Sequence, residues 1–515
     1  MKITLAQLNY TTGDIDGNAA KIIAAIENAK AEGVELIVFA EQAISGSPAF
    51  DLLRKTTFLE LCDEALESIA EHCEGITAIV GLPILTNEGA VSAAAVIANG
   101  QVEQFIGKKF ITARREMGFL VPAKGYEYIE VAGHRLAVVI GDDLSCIRDM
   151  EREADMIISV NARRYGKDVL AYRYDTMRKM AFVEGKTLVF VNNVGGSGEL
   201  VYDGTSCVVS PAGDIVMLLE SFEEDIKTFD TENIPTPIET MPYSTCNDHT
   251  RMLYRAACLG LKDYFAKSGY TKASIGLSGG IDSAVVACIA AHTLGKENVK
   301  ALLMPSPFTA ESSVEDAKAL AENLGIQYSV LPIREAYRSV MDTLKPITGG
   351  TDFDATEENM QSRIRTMMLM ALQNKSGYVM LNSSNTYRKN ACEYQKRVPM
   401  KGQPVIDQIT QDIRNIINRE MPQKRLGVRP MFNLIEHARA RQQKRHHIGR
   451  NHRQKHFGAV NGKVGNGLRD AKIDDSGDDG TKATEKQTAV QKSFHIHIHR
   501  NPNLSLTLLS CRLDT

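Results

Sequence analysis

Gly276-Leu277-Ser278-Gly279-Gly280-Ile281-Asp282-Ser283-Ala284 is the stretch on which the reading of this chain turns. Ala273-Ser274-Ile275 before it is apolar and β-favouring, and 284–294 after it is rich in Ala, Val and Ile. Strand, glycine turn and helix thus follow one another, the geometry of a phosphate cradle. Glycines let backbone N–H groups approach an anion, and the helix N-terminus adds its positive dipole end. No Gly-Lys-Ser/Thr follows to reach a terminal phosphate. Asp282 beside bare phosphate is costly, so a metal ion is expected between them. An ordinary glycine-rich βα turn is the plain alternative, and Gly-Gly alone does not exclude it.

Outward from the loop, 299–304 reads as a second strand, closed by Pro305-Ser306-Pro307, and 328–333 as a third. The helix between them, 312–324, has Ser313 as its candidate cap and Val314, Ala317, Leu320, Ala321 and Leu324 as its core face. Alternating strands and helices with short connections predict a doubly wound parallel sheet. In such sheets ligands bind at the carboxyl ends of the strands, where the 278–283 loop and the Met304-Pro305-Ser306 turn both fall.

Ser-Gly-Gly-Ile-Asp-Ser resembles the pyrophosphate loop of the ATP pyrophosphatases, which adenylate an acceptor oxygen and release pyrophosphate. Thr356-Glu357-Glu358-Asn359-Met360-Gln361-Ser362-Arg363-Ile364-Arg365 resembles the NAD synthetase string Thr-x-Glu-Asn-x-Gln-x-Arg-x-Arg, and Leu381-Asn382-Ser383-Ser384-Asn385 fits its next element. A capped, charged surface helix is the bland reading of 356–365. The resemblance implies a Rossmann-like domain that binds ATP, Mg2+ and deamido-NAD. In it Gly276, Leu277, Ser278, Gly279, Gly280, Ile281, Asp282 and Ser283 form the phosphate loop, and Ser306 and Ser383 are further nucleotide contacts. Asp282 is the magnesium ligand, and Asn359 and Arg363 meet deamido-NAD. After Asn385 the likeness stops. The family's Lys-Ser-Glu, whose Glu is a second metal ligand, reads Thr386-Tyr387-Arg388 here, with Arg388 in place of that Glu, and no Gly-Asp-Met-Ala-Gly segment follows.

Residues 1–230 alternate β-like runs (3–8, 36–40, 78–82, 92–98, 135–140, 156–160, 187–191, 206–210) with helical ones (18–32, 58–73, 171–184). This predicts an α/β layered domain. Several segments resemble the nitrilase superfamily, in the form fused to bacterial NAD synthetases: Phe39-Ala40-Glu41, Asp51-Leu52-Leu53, and Asn192 to Gly204 reading NNVGGSGELVYDG. The resemblance implies an α-β-β-α sandwich and a Glu–Lys–Cys site. There the Glu is general base, the Lys stabilises the oxyanion and the thiolate attacks an amide. Glu41 matches the Glu. Lys108 matches the Lys, with the adjacent Lys109 as alternative. The nucleophile follows strand 135–140 in that family, and here the string is Ile140-Gly141-Asp142-Asp143. Position 141 carries no nucleophile. Cys146 lies five residues on, roughly 15 Å away if extended, and reads better as a small buried residue. The element that holds glutamine in the family reads Asn161-Ala162-Arg163-Arg164-Tyr165, and Arg114 stands where a tyrosine is expected. The expectation is a glutaminase fold without glutamine hydrolysis, with Glu41 either a leftover or a residual participant.

Length and composition agree. A chain of 515 residues exceeds one core, and 43% hydrophobic with 24% charged residues is a globular balance. The net charge of −3 exerts no global pull toward nucleic acid or membrane, and the apolar runs are too short to span a bilayer. Nine cysteines without a paired pattern, behind an N-terminus unlike a signal peptide, read as reduced and cytoplasmic. Pro235, Pro237 and Pro242 mark a linker. The expected division is 1–230, linker 231–250, 251–385, and a divergent tail 386–515.

The stretch 386–460 holds 17 Lys/Arg against 5 Asp/Glu. Its basic run 439–455 lacks aromatics and reads as a solvated tail, not a nucleic-acid surface. His495, His497 and His499 alternate, a spacing that puts them on one face of a strand, where a metal is the sharper reading and a plain strand the blander. A reading-frame shift in the source gene is one explanation for the break. Two functions compete: an oligomeric NAD synthetase fed by ammonia instead of glutamine, and an incomplete remnant that binds nucleotide and oligomerises.

Overall fold

The computed structural model describes residues 1–113, 116–125, 128–145, 153–166, 169–238, 246–349, 353–385, 494–501 and 504–508. The first domain runs β1 (Lys2–Gln7), α1 (Ile15–Ala31), β2 (Leu36–Val38), α2 (Thr56–Ala70), β3 (Thr77–Thr86), β4 (Gly89–Ala98), β5 (Gln101–Gly107), β6 (Tyr128–Val131) and β7 (His134–Ile140). It continues with β8 (Met156–Asn161), α3 (Val169–Glu184), β9 (Thr187–Asn192), the hairpin β10 (Val194–Ser197) and β11 (Leu200–Asp203), β12 (Cys207–Val209), β13 (Ile215–Leu218) and β14 (Asp225–Asp230).

Two six-stranded sheets result, ordered β14-β1-β2-β3-β4-β5 and β13-β12-β9-β8-β7-β6. Their inner faces meet in one core. Leu136, Val138 and Ile140 of β7 and Ile158 and Val160 of β8 point into it. The intervening Val139 and Ile157 point outward onto Leu170, Tyr174, Met177 and Ala181 of α3. Strands buried on both faces read as continuous apolar runs, and each fully buried aliphatic side chain contributes about 1.5–3 kcal/mol. With α1 and α2 against the first sheet, the layers are α-β-β-α, as expected from the sequence.

The second domain runs α4 (Cys246–Lys267), β15 (Ala273–Gly276), α5 (Ile281–Leu294), β16 (Val299–Leu303), α6 (Glu311–Leu324), β17 (Gln327–Val330), α7 (Arg334–Thr348), α8 (Ala355–Ser376) and β18 (Val379–Asn385). The tail contributes β19 (Phe494–Asn501) and β20 (Leu504–Leu508). The sheet order is β17-β16-β15-β18-β19-β20, parallel through the first four strands and antiparallel in the last two. Alternation along β16 divides the core. Val299, Ala301 and Leu303 face α4, α5 and α6, whereas Leu302 faces Tyr337 of α7 and Ile364 of α8. The sheet is therefore covered on both faces, the doubly wound arrangement.

Two local expectations change. Ser313 does not cap α6; Ala310 holds that position without a side-chain bond, and Ser313 lies inside the first turn. In the tail, where the sequence points to no packed fold, the alternating histidines fall on β19, which pairs with β18 from Asn385↔Phe494 to Met380↔His499.

Candidate active sites

The first site lies where the carboxyl ends of the two sheets meet. Glu41 follows β2 on a loop that turns at Gln42 with φ +55°. The loop presses so close to β3 that a Cβ on Gly81 would stand 2.2 Å from the Ala40 carbonyl oxygen. The backbone N–H of Glu41 donates to the Asn161 carbonyl at 3.2 Å, and Asn193 Nδ2 donates to the Glu41 carbonyl at 3.1 Å. Its side chain is 3% exposed, accepting from Ser92 Oγ at 2.9 Å and Lys108 Nζ at 3.0 Å. Lys108 follows β5 and also donates to Glu116 Oε2 at 2.8 Å. Lys109 sends its backbone N–H to Asp143 instead, so the lysine facing Glu41 is Lys108.

Burial works against the Lys108 charge, but Glu41 and Glu116 together hold its pKa above the ordinary lysine value. Burial and the Glu41 charge push the Glu116 carboxyl upward, against the pull of Lys108. Glu116 is a participant the sequence reading did not assign. Only the turn after Lys108 brings it back onto the ammonium, and no motif in the string 112–116 marks it.

Gly141 sits at the end of β7 with φ +55°. A Cβ built there would lie 3.0 Å from Lys108 Nζ and 3.1 Å from Glu41 Oε2. Position 141 is thus aimed between base and ammonium, the place a nucleophile would take, and its residue is glycine. Next to it Asp142 pairs with Arg163 at 2.6 Å and accepts from Thr112 Oγ1. Cys146, Arg114 and Arg388 lie outside the described residues. Burial pushes the thiols of Cys62, Cys207 and Cys288 up to about 12 and that of Cys73 up to about 11, so none of these four is poised as a thiolate.

The second site is the crevice between β15 and β18, where the strand order reverses. A cavity of about 370 Å³ opens there, lined by Gly276, Leu277 and Ser278, by Met304 and Pro305, and by Asn382 and Ser383. Gly279 has φ +75°, and a Cβ on it would fall 2.2 Å from the Ser313 carbonyl oxygen. The loop is braced from within. Ser283 Oγ accepts from Ser278 N at 3.2 Å, donates to the Gly280 carbonyl at 3.0 Å and lies 3.0 Å from Ser278 Oγ. Asp282 stands exposed in the first turn of α5.

The remaining expected contacts divide. Ser383 lines the cavity. Ser306 is buried in a turn with its Oγ 3.1 Å from Thr309 Oγ1. Asn359 and Arg363 lie exposed one turn apart on α8, Arg363 lining an open groove with Met367, Met370 and Asn374 outside the 370 Å³ cavity. Arg365, quoted in the motif but given no role from sequence, is the arginine that reaches the cavity. Its Nε donates to the Met304 carbonyl at 3.0 Å, and burial lowers its pKa. Among the described residues no group of three or more His, Cys, Asp and Glu could hold a metal ion by itself. Magnesium commonly takes one or two carboxylates with phosphates and waters. A single exposed Asp282 beside the loop fits an ion carried in with a nucleotide.

Comparison with known proteins covers both halves. Residues 2–232 match the carbon-nitrogen hydrolase family and 253–391 match NAD synthase. The glutamine-dependent NAD(+) synthetase of Aquifex aeolicus is 34% identical over 426 residues, covering 75% of each chain. The chain belongs to the glutamine-dependent NAD(+) synthetase family. It is accordingly placed among the carbon–nitrogen ligases, whose NAD synthetase members use ATP as substrate. The synthetase of Thermotoga maritima is likewise 34% identical, over 75% of this chain and 74% of its own. The glutamine-dependent NAD+ synthetase of Acinetobacter baumannii, solved with ADP, superposes with a TM-score of 0.71 at 31% identity over 76% of both chains. No helix among the described residues is long and apolar enough to cross a membrane.

Proposed function

We propose that this chain amidates deamido-NAD with ATP and free ammonia, and that its first domain does not hydrolyse glutamine. The observation that carries the proposal is Gly141. Glu41 and Lys108 are buried and paired around position 141, and no sulfur or oxygen is there to form an acyl-enzyme. In the second domain the N–H groups of the 278–283 loop and the Ser278 hydroxyl hold phosphate, with Ser283 bracing the loop from within and Ser383 on the far wall. Asp282 would hold the magnesium that accompanies ATP, and that ion would offset phosphate charge. The nicotinate carboxylate of deamido-NAD, oriented through Asn359 and Arg363, attacks the α-phosphate. Pyrophosphate leaves, ammonia attacks the adenylated carbonyl, and AMP departs. Arg365, held by the Met304 carbonyl, keeps one wall of the cavity positive. That the A. baumannii relative was solved in complex with ADP supports nucleotide binding by this chain. The chain acts as a homo-oligomer in the cytoplasm.

The test is NAD formation from ATP and deamido-NAD with ammonium or glutamine as nitrogen source. Activity with ammonium and none with glutamine is expected; turnover on glutamine alone overturns the reading of Gly141. A second reading, a remnant that binds nucleotide without turnover, draws on Arg388 in place of the second metal carboxylate. ATP binding without product under ammonium would favour it.

A further inference from the structure

Helix α4 has two buried faces that belong to different domains. Met252 and Ala256 pack into the core beneath α3 of the first domain. Tyr254, Leu261 and Phe265, on the other side, pack with Ile275, Leu277 and Ala284, the strand end, loop and first turn of the phosphate site. Tyr254 Oη lies 2.8 Å from His292 Nδ1 on α5. Residues 268–272 alone separate α4 from β15.

Asp263 and Lys267, one turn apart on α4, lock this helix to the first domain. Asp263, 5% exposed, accepts from Asn9 Nδ2 at 2.7 Å and from Gly196 N at 2.6 Å. Lys267 donates to Asn9 Oδ1 at 2.6 Å, the Tyr10 carbonyl at 2.8 Å and the Gly196 carbonyl at 2.9 Å, with Asp263 Oδ2 at 3.6 Å. The partners come from two separate segments, the run after β1 and strand β10. The approach leaves no room for side chains: a Cβ on Gly196 would lie 3.0 Å from Gly260 Cα, and one on Gly195 would lie 2.1 Å from Asn9 Oδ1. A buried ion pair adds little stability over well-packed apolar residues, so its directional bonds suit it to fixing an orientation.

We propose that Asp263 and Lys267 are positioning residues for the nucleotide loop: they anchor α4 on the first domain, and α4 sets residues 276–283. This rests on the ATP reading of that loop and deepens it, giving the first domain a scaffold role independent of any nucleophile. The path is continuous, from Asn9 and Gly196 through Asp263 and Lys267 to Leu261 and Phe265, then Leu277.

The experiment compares the full chain with Lys267→Met, Lys267→Arg and Asn9→Ala, the last removing a partner from the first domain. Amide hydrogen exchange of 276–284 and equilibrium binding of ATP with magnesium are both read. Loss of hydrogen bonds to a charged group predicts about tenfold faster loop exchange and about tenfold weaker ATP binding for Lys267→Met. A smaller change of the same sign is expected for Asn9→Ala, and substantial recovery for Lys267→Arg. Exchange in β2 and β3 should match wild type. Loop exchange and ATP affinity equal to wild type in Lys267→Met overturn the proposal. If that variant does not fold, Asn9→Ala decides by the same criterion. If the wild-type chain fails to bind ATP, the nucleotide reading falls, and loop exchange alone still decides the positioning.

Discussion

Gly141 and Gly279 both occupy the left-handed region, at φ +55° and +75°, and both sit at the tip of a βα-type turn over a candidate site. Their surroundings differ. A Cβ at 141 would meet the ends of two long side chains, Lys108 and Glu41, at 3.0–3.1 Å. A Cβ at 279 would meet the backbone of Ser313, its carbonyl oxygen at 2.2 Å. Side-chain ends can swing aside by a few tenths of an ångström, and backbone held in a helix cannot. The neighbours of the first glycine can give way to a larger residue. The second is required by its setting. One site keeps its walls around a glycine, and the other keeps the one residue its loop tolerates.

The largest effect on ligand binding is expected at the second glycine. Gly279→Ala forces the loop away from α6 and turns the phosphate-facing N–H groups out of line. ATP affinity should fall by about 100-fold or more, as the loss of several charge-assisted hydrogen bonds implies. Calorimetric titration with ATP and magnesium measures it. Affinity within a few-fold of wild type would dissolve the contrast between the two glycines.

Next comes the first site's remaining charge cluster. Lys108→Met leaves the buried Glu41 and the half-buried Glu116 without their cation, and a buried charge so stranded typically destabilises by about 3–5 kcal/mol. The ammonium-dependent rate proposed for the other domain should hold as long as the chain stays folded. The pH dependence has a definite sign. The folded-state pKa of Lys108 lies above the ordinary lysine value. Its stabilisation is then complete below about pH 10.5 and is lost as pH rises through the folded value. Denaturant midpoints of the wild type and Lys108→Met should differ by a constant amount at neutral pH and converge in strong alkali. A gap that widens with rising pH would contradict the assignment.

How much of this could be read beforehand depends on what each feature rests on. The 276–283 loop is local, strand to turn to helix within one string, so the sequence carries it whole. The missing nucleophile is equally local, one residue after an unmistakable strand. Glu116 depends on a turn that returns the chain onto Lys108, and nothing in 112–116 encodes that partner. Arg365 and Arg363 differ by two residues, about 200° around a helix, so they face different sides of α8, and only packing tells which side meets the cavity. The first domain's short edge strands were missed for a related reason. Gln101–Gly107 is largely polar and half-exposed, and strand β14, DIKTFD, becomes a strand by pairing with β1 across more than 200 residues. Helix α4 shows the limit most clearly. Its periodicity predicts a helix, but a helix shared by two cores has apolar or bonded residues on both sides, and sequence alone does not apportion them.

The smallest effect should come from Gly141→Cys. The left-handed backbone adds about 1–2 kcal/mol for a residue with a Cβ, and the neighbours to be displaced are the mobile ends of Lys108 and Glu41. The variant should fold with a modestly lowered melting temperature, in contrast to the loss of function at position 279. Its thiol, beside an ammonium, should be alkylated by iodoacetamide faster than the buried Cys62, Cys73, Cys207 and Cys288, whose thiols burial holds at about 11–12. Glutamine hydrolysis should stay absent, because the Arg163–Asp142 pair stands beside position 141, where the amide would have to be held. Mass spectrometry of the alkylated peptide and an assay for released glutamate separate the two expectations. A reactive thiol without glutamate means that the walls for the nucleophile persist and those for the substrate do not. Glutamate release from the single variant would mean that one side chain is all that divides this domain from a working glutaminase.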